Sequence, residues 1–306
     1  MRTKFLRDIL TVSKYICFVI TLILVVVFQV GLCSLWAGEK NRTALSLSET
    51  IELALDYNSQ RRMNNEILLP EDVIFSVKKY YYQIQTQVEQ LDTAEEVRDH
   101  FQKAVNKSEK IFEEGEEDIS QFDITKLKLG LSNTLSDIIS LKHAIQIAKL
   151  HLGELIGKEI RPNTDIAKTD IIPLTFLYSG FDIYLETKNL SPSSSKLKGE
   201  VSVASGKTSA KISVQLDEGD RLTLQKAFIT AKEANAKVML GKKNRKITRA
   251  LLVAEAANYD FGIGDSQELF EALIMYTRVL SGYLESIYTL NVAVAELEKL
   301  TDAIYR

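Results

Sequence analysis

The side chains that could bind a metal or carry catalysis are few in this chain of 306 residues, and their spacing does not bring them together. Three histidines occur, His100, His143 and His151, and the last two are eight residues apart on one predicted helix, outside its apolar seam. The two cysteines, Cys17 and Cys33, lie close to the N-terminus, so no Cys/His cluster is available. Metal ligation and nucleophilic catalysis both need several such groups at one point. We therefore expect a protein that is not an enzyme, with no catalytic residue, no metal and no cofactor.

The sequence does not support nucleotides or nucleic acids as ligands. Gly206-Lys207-Thr208 resembles the end of a phosphate-binding loop, but that loop needs a glycine five residues earlier, where this chain has Val201. The formal net charge is -3. Residues 1–37 carry four basic residues and one acidic residue, so the remainder of the chain is more acidic still. A mildly acidic body argues against binding to a phosphate backbone.

The longest regular pattern lies in the last quarter of the chain and predicts two long antiparallel helices. A helical stretch runs to Tyr259, is interrupted at Gly262 and Gly264, and restarts at Asp265. After the interruption, seam residues recur every seven positions. They are Leu269, Tyr276, Tyr283, Leu290 and Leu297 on one line, and Ala272, Val279, Ser286, Ala293 and Leu300 on the other. A heptad seam of this length is typical of long helices packed side by side, and the tight break folds the second helix back onto the first.

Residues 73–157 repeat this pattern, and internal repetition indicates a repeated structural unit. The break is again Gly-x-x-Asp, from Gly115 to Asp118, as from Gly262 to Asp265. The predicted fold is mainly α, with two long antiparallel coiled-coil hairpins and a small β or irregular insert between them. Each apolar stripe is wider than one antiparallel partner can cover, which favours self-assembly of the helices into an α-barrel.

The insert and the N-terminus complete the predicted organisation. In residues 158–221, Pro162, Pro173 and Pro192 break helices. Alternating apolar residues predict short strands at 181–186, 201–203 and 212–216. Residues 1–37 contain a basic segment and then an apolar run over 16–33, which is the order of a secretory signal peptide. The run is also just long enough to span a membrane, so an uncleaved anchor is the alternative.

Three segments resemble the TolC family of outer-membrane efflux proteins. Leu45–Asn58 is similar to the family's opening helix, L-x-L-x-x-A-x-x-x-A-x-x-x-N, with Thr50 where alanine is usual. The stretches 73–157 and 222–303 look like its two periplasmic hairpins, and NYDFGIGD at 258–265 resembles its hairpin turn. The implied units are a signal peptide or anchor at 1–37, a first repeat at 38–157, a linker at 158–221 and a second hairpin at 222–306.

The resemblance implies a passive channel component of an efflux or type I export system, located in the periplasm or outer membrane of a Gram-negative bacterium. It further implies a homotrimer that works with a periplasmic adaptor and an inner-membrane pump. In this family the hairpin tips meet the adaptor and can close the channel. The corresponding tip residues here are Glu114, Gly115, Glu117, Asp118, Gly262, Gly264 and Asp265. The usual tip motif places arginine four residues before the glycine, where this chain has Ile111 and Asn258.

Two alternatives remain open at this point. If residues 16–33 stay in the inner membrane, the hairpins form an anchored periplasmic scaffold or an adaptor-like binding protein. The second alternative is that the chain is a relative of the channels that folds but conducts nothing.

Overall fold

The computed structural model describes residues 44–61, 68–115, 119–160, 166, 170–192 and 214–305, and long helices dominate them. The helices are α1 Leu47–Arg61, α2 Pro70–Glu113, α3 Gln121–Ile156, α4 Phe181–Thr187, α5 Glu218–Asp260 and α6 Ser266–Ile304. Two short strands, β1 Leu190–Pro192 and β2 Val214–Leu216, pair in parallel. The predicted signal segment, the turn at Gly206-Lys207-Thr208, and the tip residues Glu117 and Asp118 lie outside the described residues.

The four long helices form two antiparallel hairpins, α2–α3 (the first hairpin) and α5–α6 (the second hairpin). Helix α2 packs against both α3 and α6, and α6 packs against α5. The helices therefore follow the spatial order α3–α2–α6–α5, with α3 and α5 at its two ends. The mainly α fold with two long hairpins, predicted from the heptads, is confirmed.

The predicted seams are the buried faces of these helices. In α6, the whole line from Leu269 to Leu297 is buried. In α3, Ile124, Ile138, Ile145 and Leu152 are buried as well. Burial of large apolar side chains is the main favourable term in folding, so these two lines hold each hairpin together.

Capping side chains and a glycine close to the helix ends determine where helix α3 begins and ends. Ser120 caps α3: its hydroxyl accepts the N–H of Asp123, and the Asp123 carboxylate accepts the N–H of Ser120 in return, which is a capping box. At the other end of α3, Gly157 has φ +64, a left-handed conformation in which a side chain would also collide with the Tyr57 ring. The opening helix α1 tolerates Thr50 because its hydroxyl donates to the Ser46 carbonyl, 2.7 Å away, within a fully buried site.

The described part of the insert differs from its prediction at two elements, and the strand predicted at 201–203 lies outside the described residues. Strand β1 at Leu190–Pro192 was not predicted, whereas β2 at Val214–Leu216 falls within the strand predicted at 212–216. The strand expected at 181–186 is wrong, because residues 181–187 form helix α4. Adjacent residues Tyr184 and Leu185 are both buried, whereas Ile183 is exposed. The Tyr184 hydroxyl lies 2.8 Å from the Thr301 hydroxyl, which fixes α4 against α6. Over so few residues, alternating apolar side chains fit one buried helical turn as well as a strand.

Residues 170–180, which we call the strap, cross the helices and tie the two hairpins together. The Asn291 side chain of α6 is fully buried; its oxygen accepts the Leu174 N–H at 2.8 Å, and its amide donates to the Ile172 carbonyl at 2.9 Å. On α5, Asn235 donates to the Phe176 carbonyl at 3.3 Å. These side chains provide hydrogen-bond partners for strap backbone groups that lie outside any helix or strand.

The strap meets α2 at the carboxylate of Glu89, which accepts the N–H of Ile171. Burial is the largest cause that raises the pKa of Glu89 above its ordinary value. The bond from Ile171 and the charge of Arg245 lower this pKa, whereas Asp170 and Asp92 raise it. Because the folded state holds the Glu89 proton more tightly than the unfolded state, this group's contribution to stability falls as the pH rises from about 4.5 through the folded pKa.

Replacing Glu89 with glutamine should therefore flatten the loss of stability as the pH rises. The glutamine oxygen keeps an acceptor for Ile171, so the variant should be at least as stable as the parent at pH 8. Urea unfolding at several pH values between 4.5 and 8 measures this. Part of the fall in stability with rising pH should persist in the variant, because burial also raises the pKa of Glu285. An unchanged slope in the variant would contradict the prediction.

Close to the turns, the core depends on the absence of one side chain. Phe101 of α2 is fully buried, and its ring packs against Phe270 of α6 with centroids 5.8 Å apart. Gly130 of α3 faces this pair, and a Cβ atom built there would lie 2.7 Å from the Phe101 ring. Three helices therefore meet at a point where only glycine fits.

Candidate functional site

The tip of the first hairpin is described up to Gly115 and is exposed and acidic. Helix α2 ends at Glu113, and Gly115 follows with φ +80 and open space around it. Glu114 is exposed and lies 3.8 Å from Lys110, one helical turn back. A surface pair of this kind contributes little to stability. These carboxylates are available to a partner rather than needed by the fold.

The tip of the second hairpin is a hydrogen-bonded turn that presents two apolar side chains. The Asn258 carbonyl accepts the N–H groups of both Ile263 and Gly264, at 2.9 and 3.1 Å. Gly262 has φ +74, and a Cβ atom on Gly264 would lie 2.9 Å from the Asn258 side chain. Phe261 and Ile263 are 80% and 81% exposed. Large apolar side chains exposed next to each other often mark an interaction site.

Asp265 restarts the helix after this turn, as predicted, and its carboxylate accepts the N–H of Glu268 at 2.7 Å. Replacing Asp265 with alanine leaves that N–H without its partner and should lower the free energy of unfolding by about 1 kcal/mol. Asp265→Asn keeps an acceptor oxygen and should cost much less. Chemical denaturation of the two variants tests this, and an equal loss in both would contradict the capping role.

Near this tip, Lys107 and Ser108 of α2 hold the end of α5. The Lys107 ammonium donates to the carbonyls of Tyr259 and Asp260, and lies 4.8 Å from the Tyr259 ring centroid. The Tyr259 hydroxyl lies 2.7 Å from the Ser108 hydroxyl. A cation at the C-terminus of a helix also interacts favourably with its dipole. The first hairpin therefore fixes the position of the second tip, a role that no heptad pattern could have indicated.

A second polar contact between the hairpins lies further up α2. Arg249 of α5 donates to the Tyr276 hydroxyl at 2.9 Å, and that hydroxyl donates to Glu96 of α2 at 3.1 Å. Tyr276 is buried, and its burial raises the pKa of its hydroxyl. The Tyr276 hydroxyl therefore joins helices α2, α5 and α6. A tyrosine of the heptad seam thus also links the two hairpins.

The outermost helices each expose large apolar side chains along their length, and on α5 the exposed Lys243 and Lys246 lie between them. The exposed apolar residues of α3, which we call the α3 face, include Leu129, Leu135, Ile139, Ile147 and Leu150. Those of α5, the α5 face, include Met239, Leu240, Ile247 and Val253. Exposed apolar surface that extends this far usually marks an interaction site.

The histidines do not converge on a site. His143 is exposed, and the His151 ring stacks on Tyr80 with centroids 4.9 Å apart. Within the described ranges, no three His, Cys, Asp or Glu side chains are placed to hold a metal ion. A cleft of about 330 Å³ between α2, α3 and α6 has Asp137 and Ser140 among its lining residues. None of the described helices combines the length and hydropathy needed to cross a bilayer.

Comparison with known proteins gives matches in structure alone. No protein-family model and no characterised protein matches the sequence. The outer-membrane channel OprN superposes with a TM-score of 0.56 at 12% identity, covering 83% of this chain and 70% of OprN. CusC, which forms a transmembrane channel, gives 0.53 at 14%, covering 83% and 72%. The Campylobacter jejuni outer-membrane channel CmeC gives 0.51 at 10%, covering 83% and 65%. At these identities the likeness establishes the fold.

Proposed function

We propose that this chain, which has the fold of the TolC-family outer-membrane channels, is a self-assembling conduit subunit of a bacterial efflux or export system. It would act as a passive path in the periplasm and outer membrane, without catalysis or cofactor, while a pump in the inner membrane supplies the energy. The observation that carries the proposal is the pair of uncovered apolar faces at opposite ends of one helical layer. The fold shared with OprN and CusC supports the same role.

The two faces favour assembly from several copies of the same chain. Each face is rich in large aliphatic side chains that remain more than 40% exposed. The α3 face of one copy would cover the α5 face of the next, and such head-to-tail contacts close into a ring when the rotation between copies divides a full turn. A closed ring of hairpins encloses a tunnel. The resemblance to the family favours three copies.

The two tips would form the docking end of this tunnel. The first tip offers carboxylates at Glu113 and Glu114, and the second offers Phe261 and Ile263. A periplasmic adaptor that fits would carry an apolar socket with basic residues beside it. The tip residues Glu114, Gly115, Gly262, Gly264 and Asp265 shape these turns, and Glu117 and Asp118 remain part of the proposal from sequence alone.

The test combines native mass with transport. We expect the purified chain to run as a multiple of its 34.5 kDa mass, less any signal peptide, in detergent. In cells that depend on it, Phe261→Ser with Ile263→Ser should keep that mass and abolish export. Lys110→Ala, which removes only a surface pair, serves as the matched tip control. A well-folded helical monomer that does not support export would overturn the conduit and favour the anchored scaffold.

A further inference from the structure

The cleft between α2, α3 and α6 lies one heptad away from a point where the same three helices are packed around aromatic rings. Closer to the tips, Phe101 of α2, Phe270 of α6 and Gly130 of α3 meet in one cluster. A heptad returns to the same face of a packed helix, so residues seven positions along each helix occupy the next level of this interface. The side chains at that level determine the shape of the cleft.

At the next level, smaller side chains replace the two rings, and a carboxylate replaces the glycine. Moving seven residues away from the tips from each member of the cluster leads to Ala94 on α2, Thr277 on α6 and Asp137 on α3. All three residues line the cleft, which has a volume of about 330 Å³. The cleft therefore lies where two further phenylalanine rings would have continued the aromatic packing, and it has an acidic group on its third side.

The lining of the cleft combines apolar walls with a few hydrogen-bonding groups. Its other lining residues are Gln90, Ser140, Leu141, Ala144 and Ser281. Leucine and alanine supply the apolar surface, and the amide and hydroxyl groups can each accept or donate a hydrogen bond. Clefts of about 300–1,000 Å³ with this mixture are the usual binding sites of small molecules. The size and lining of the cleft thus suit a small organic ligand.

The carboxylate of Asp137 has no cationic partner in the described part of the chain. Two lysines of the same helix, Lys128 and Lys142, are paired with carboxylates of α2 instead. Just beyond the lining residues, Gln87 has a buried side-chain oxygen that accepts no hydrogen bond from any described residue. Gln87 lies one heptad from Ala94 on the same face of α2. The groups in and beside the cleft therefore offer negative charge and free acceptors, which favours a ligand that is positively charged and donates hydrogen bonds.

We propose that this cleft is a binding site for a small aromatic cation, a flat ring system that carries a protonated amine. The ring would lie between Ala94 and Thr277, in place of the phenylalanine rings of the neighbouring level, and the ammonium group would pair with Asp137. Every lining residue belongs to one chain, so the site requires neither the proposed assembly nor export. Because α2 and α3 belong to the first hairpin and α6 to the second, the bound ligand would contact both hairpins and hold them together.

Binding of a matched pair of fluorescent compounds tests the site. The probe is 1-naphthylmethylamine, which is protonated at neutral pH, and its analogue is 1-naphthylacetate, which carries a carboxylate on the same ring. Fluorescence anisotropy with the full chain in detergent, corrected by titration into detergent alone, measures both affinities. We expect the amine to bind more tightly than the analogue by about tenfold or more, because Asp137 attracts one charge and repels the other. The amine should also raise the midpoint of thermal unfolding, since it binds the folded chain.

Two substitutions address the two parts of the site. Asp137→Asn removes the charge at nearly constant size and should bring the two affinities within about twofold of each other. Ala94→Phe places a ring in the cleft and should abolish the binding of both compounds. Glu113→Gln removes an exposed carboxylate at the tip and serves as the matched control, with unchanged binding. Thermal unfolding of each variant without ligand establishes that it is folded.

Equal affinity for the two compounds in the parent chain, or a preference for the amine that persists in Asp137→Asn, would overturn the assignment of a cationic ligand. Binding that persists in folded Ala94→Phe would place the probe elsewhere and would also overturn the site. If Ala94→Phe does not fold, Thr277→Phe fills the cleft from α6 and takes its place in the test. Native mass on the same samples reports separately on the proposed function: a monomer that binds the amine in this cleft would overturn the assembly and support the present inference.

Discussion

Replacing Ile139 with aspartate is expected to leave the single chain folded and to separate its assemblies into monomers. The side chain is 58% exposed on α3, so the folded monomer loses little apolar contact. In the assembly the new carboxylate would be buried against the α5 face of the next copy. An uncompensated buried charge costs about 3–5 kcal/mol, and every seam of the ring would carry one. Native mass and thermal unfolding together measure the two expectations.

A compensating change makes this prediction sharper. Val253 of α5 is 61% exposed, and helix counts from the ion pairs Lys142–Glu95 and Arg249–Glu96 place it within two residues of the height of Ile139 along α2. Adding Val253→Lys to Ile139→Asp places opposite charges on the two sides of each seam and should restore much of the assembly. Val253→Lys alone should disrupt it. As a matched control, Ile183→Asp places the same charge on an exposed apolar position of α4, away from both faces, and should leave the assembly intact.

The second large effect is expected at the contact of Phe101 with Gly130. Phe101→Ala should lower the free energy of unfolding by about 3–5 kcal/mol, the usual cost of deleting a fully buried phenylalanine. Gly130→Ala adds a methyl group that overlaps the Phe101 ring and should cost about 1–3 kcal/mol. Urea unfolding at constant pH measures both values.

Combining the two sites distinguishes overpacking from a general loss of stability. Phe101→Leu replaces the ring with a smaller side chain and should make room for the methyl group of Gly130→Ala. The double variant should therefore lose less free energy of unfolding than the sum of the two single losses. Residues in direct contact often show coupling of about 0.5–3 kcal/mol. Gly282→Ala provides a helical glycine with open space around it, and it should be neutral or stabilising. Strictly additive losses at 101 and 130 would contradict the described contact.

The sequence predicted those parts of the fold that depend on neighbouring residues. The Ser120 cap follows from its own side chain and that of Asp123. The end of helix α2 follows from Gly115 just after it. The heptads of α3 and α6 required no knowledge of distant residues, because each seam position recurs along its own helix. The turn at the second tip was also predicted, because Gly262 and Gly264 interrupt the helical pattern locally.

The remaining features depend on residues far apart in the chain. Asn291 has no pattern around it that marks it as a buried anchor, because its partners, Ile172 and Leu174, lie more than a hundred residues earlier. Lys107 resembles any surface lysine until Tyr259 and Asp260 are placed beside it. The strand predicted at 181–186 failed for a related reason, since contact with α6 determines which of its residues are buried.

Polar contacts near both ends of α2 limit how the second hairpin can move relative to the first. Near the tips, Lys107 donates to the Asp260 carbonyl of α5, and at the other end Lys78 lies 2.5 Å from Glu298 of α6. The two lysines are 29 residues apart on α2, which is about 44 Å along the helix, and α6 packs against α2 between them. Separating the two tips is therefore expected to be a cooperative movement of the whole second hairpin, because a local bend would leave the remaining contacts in place.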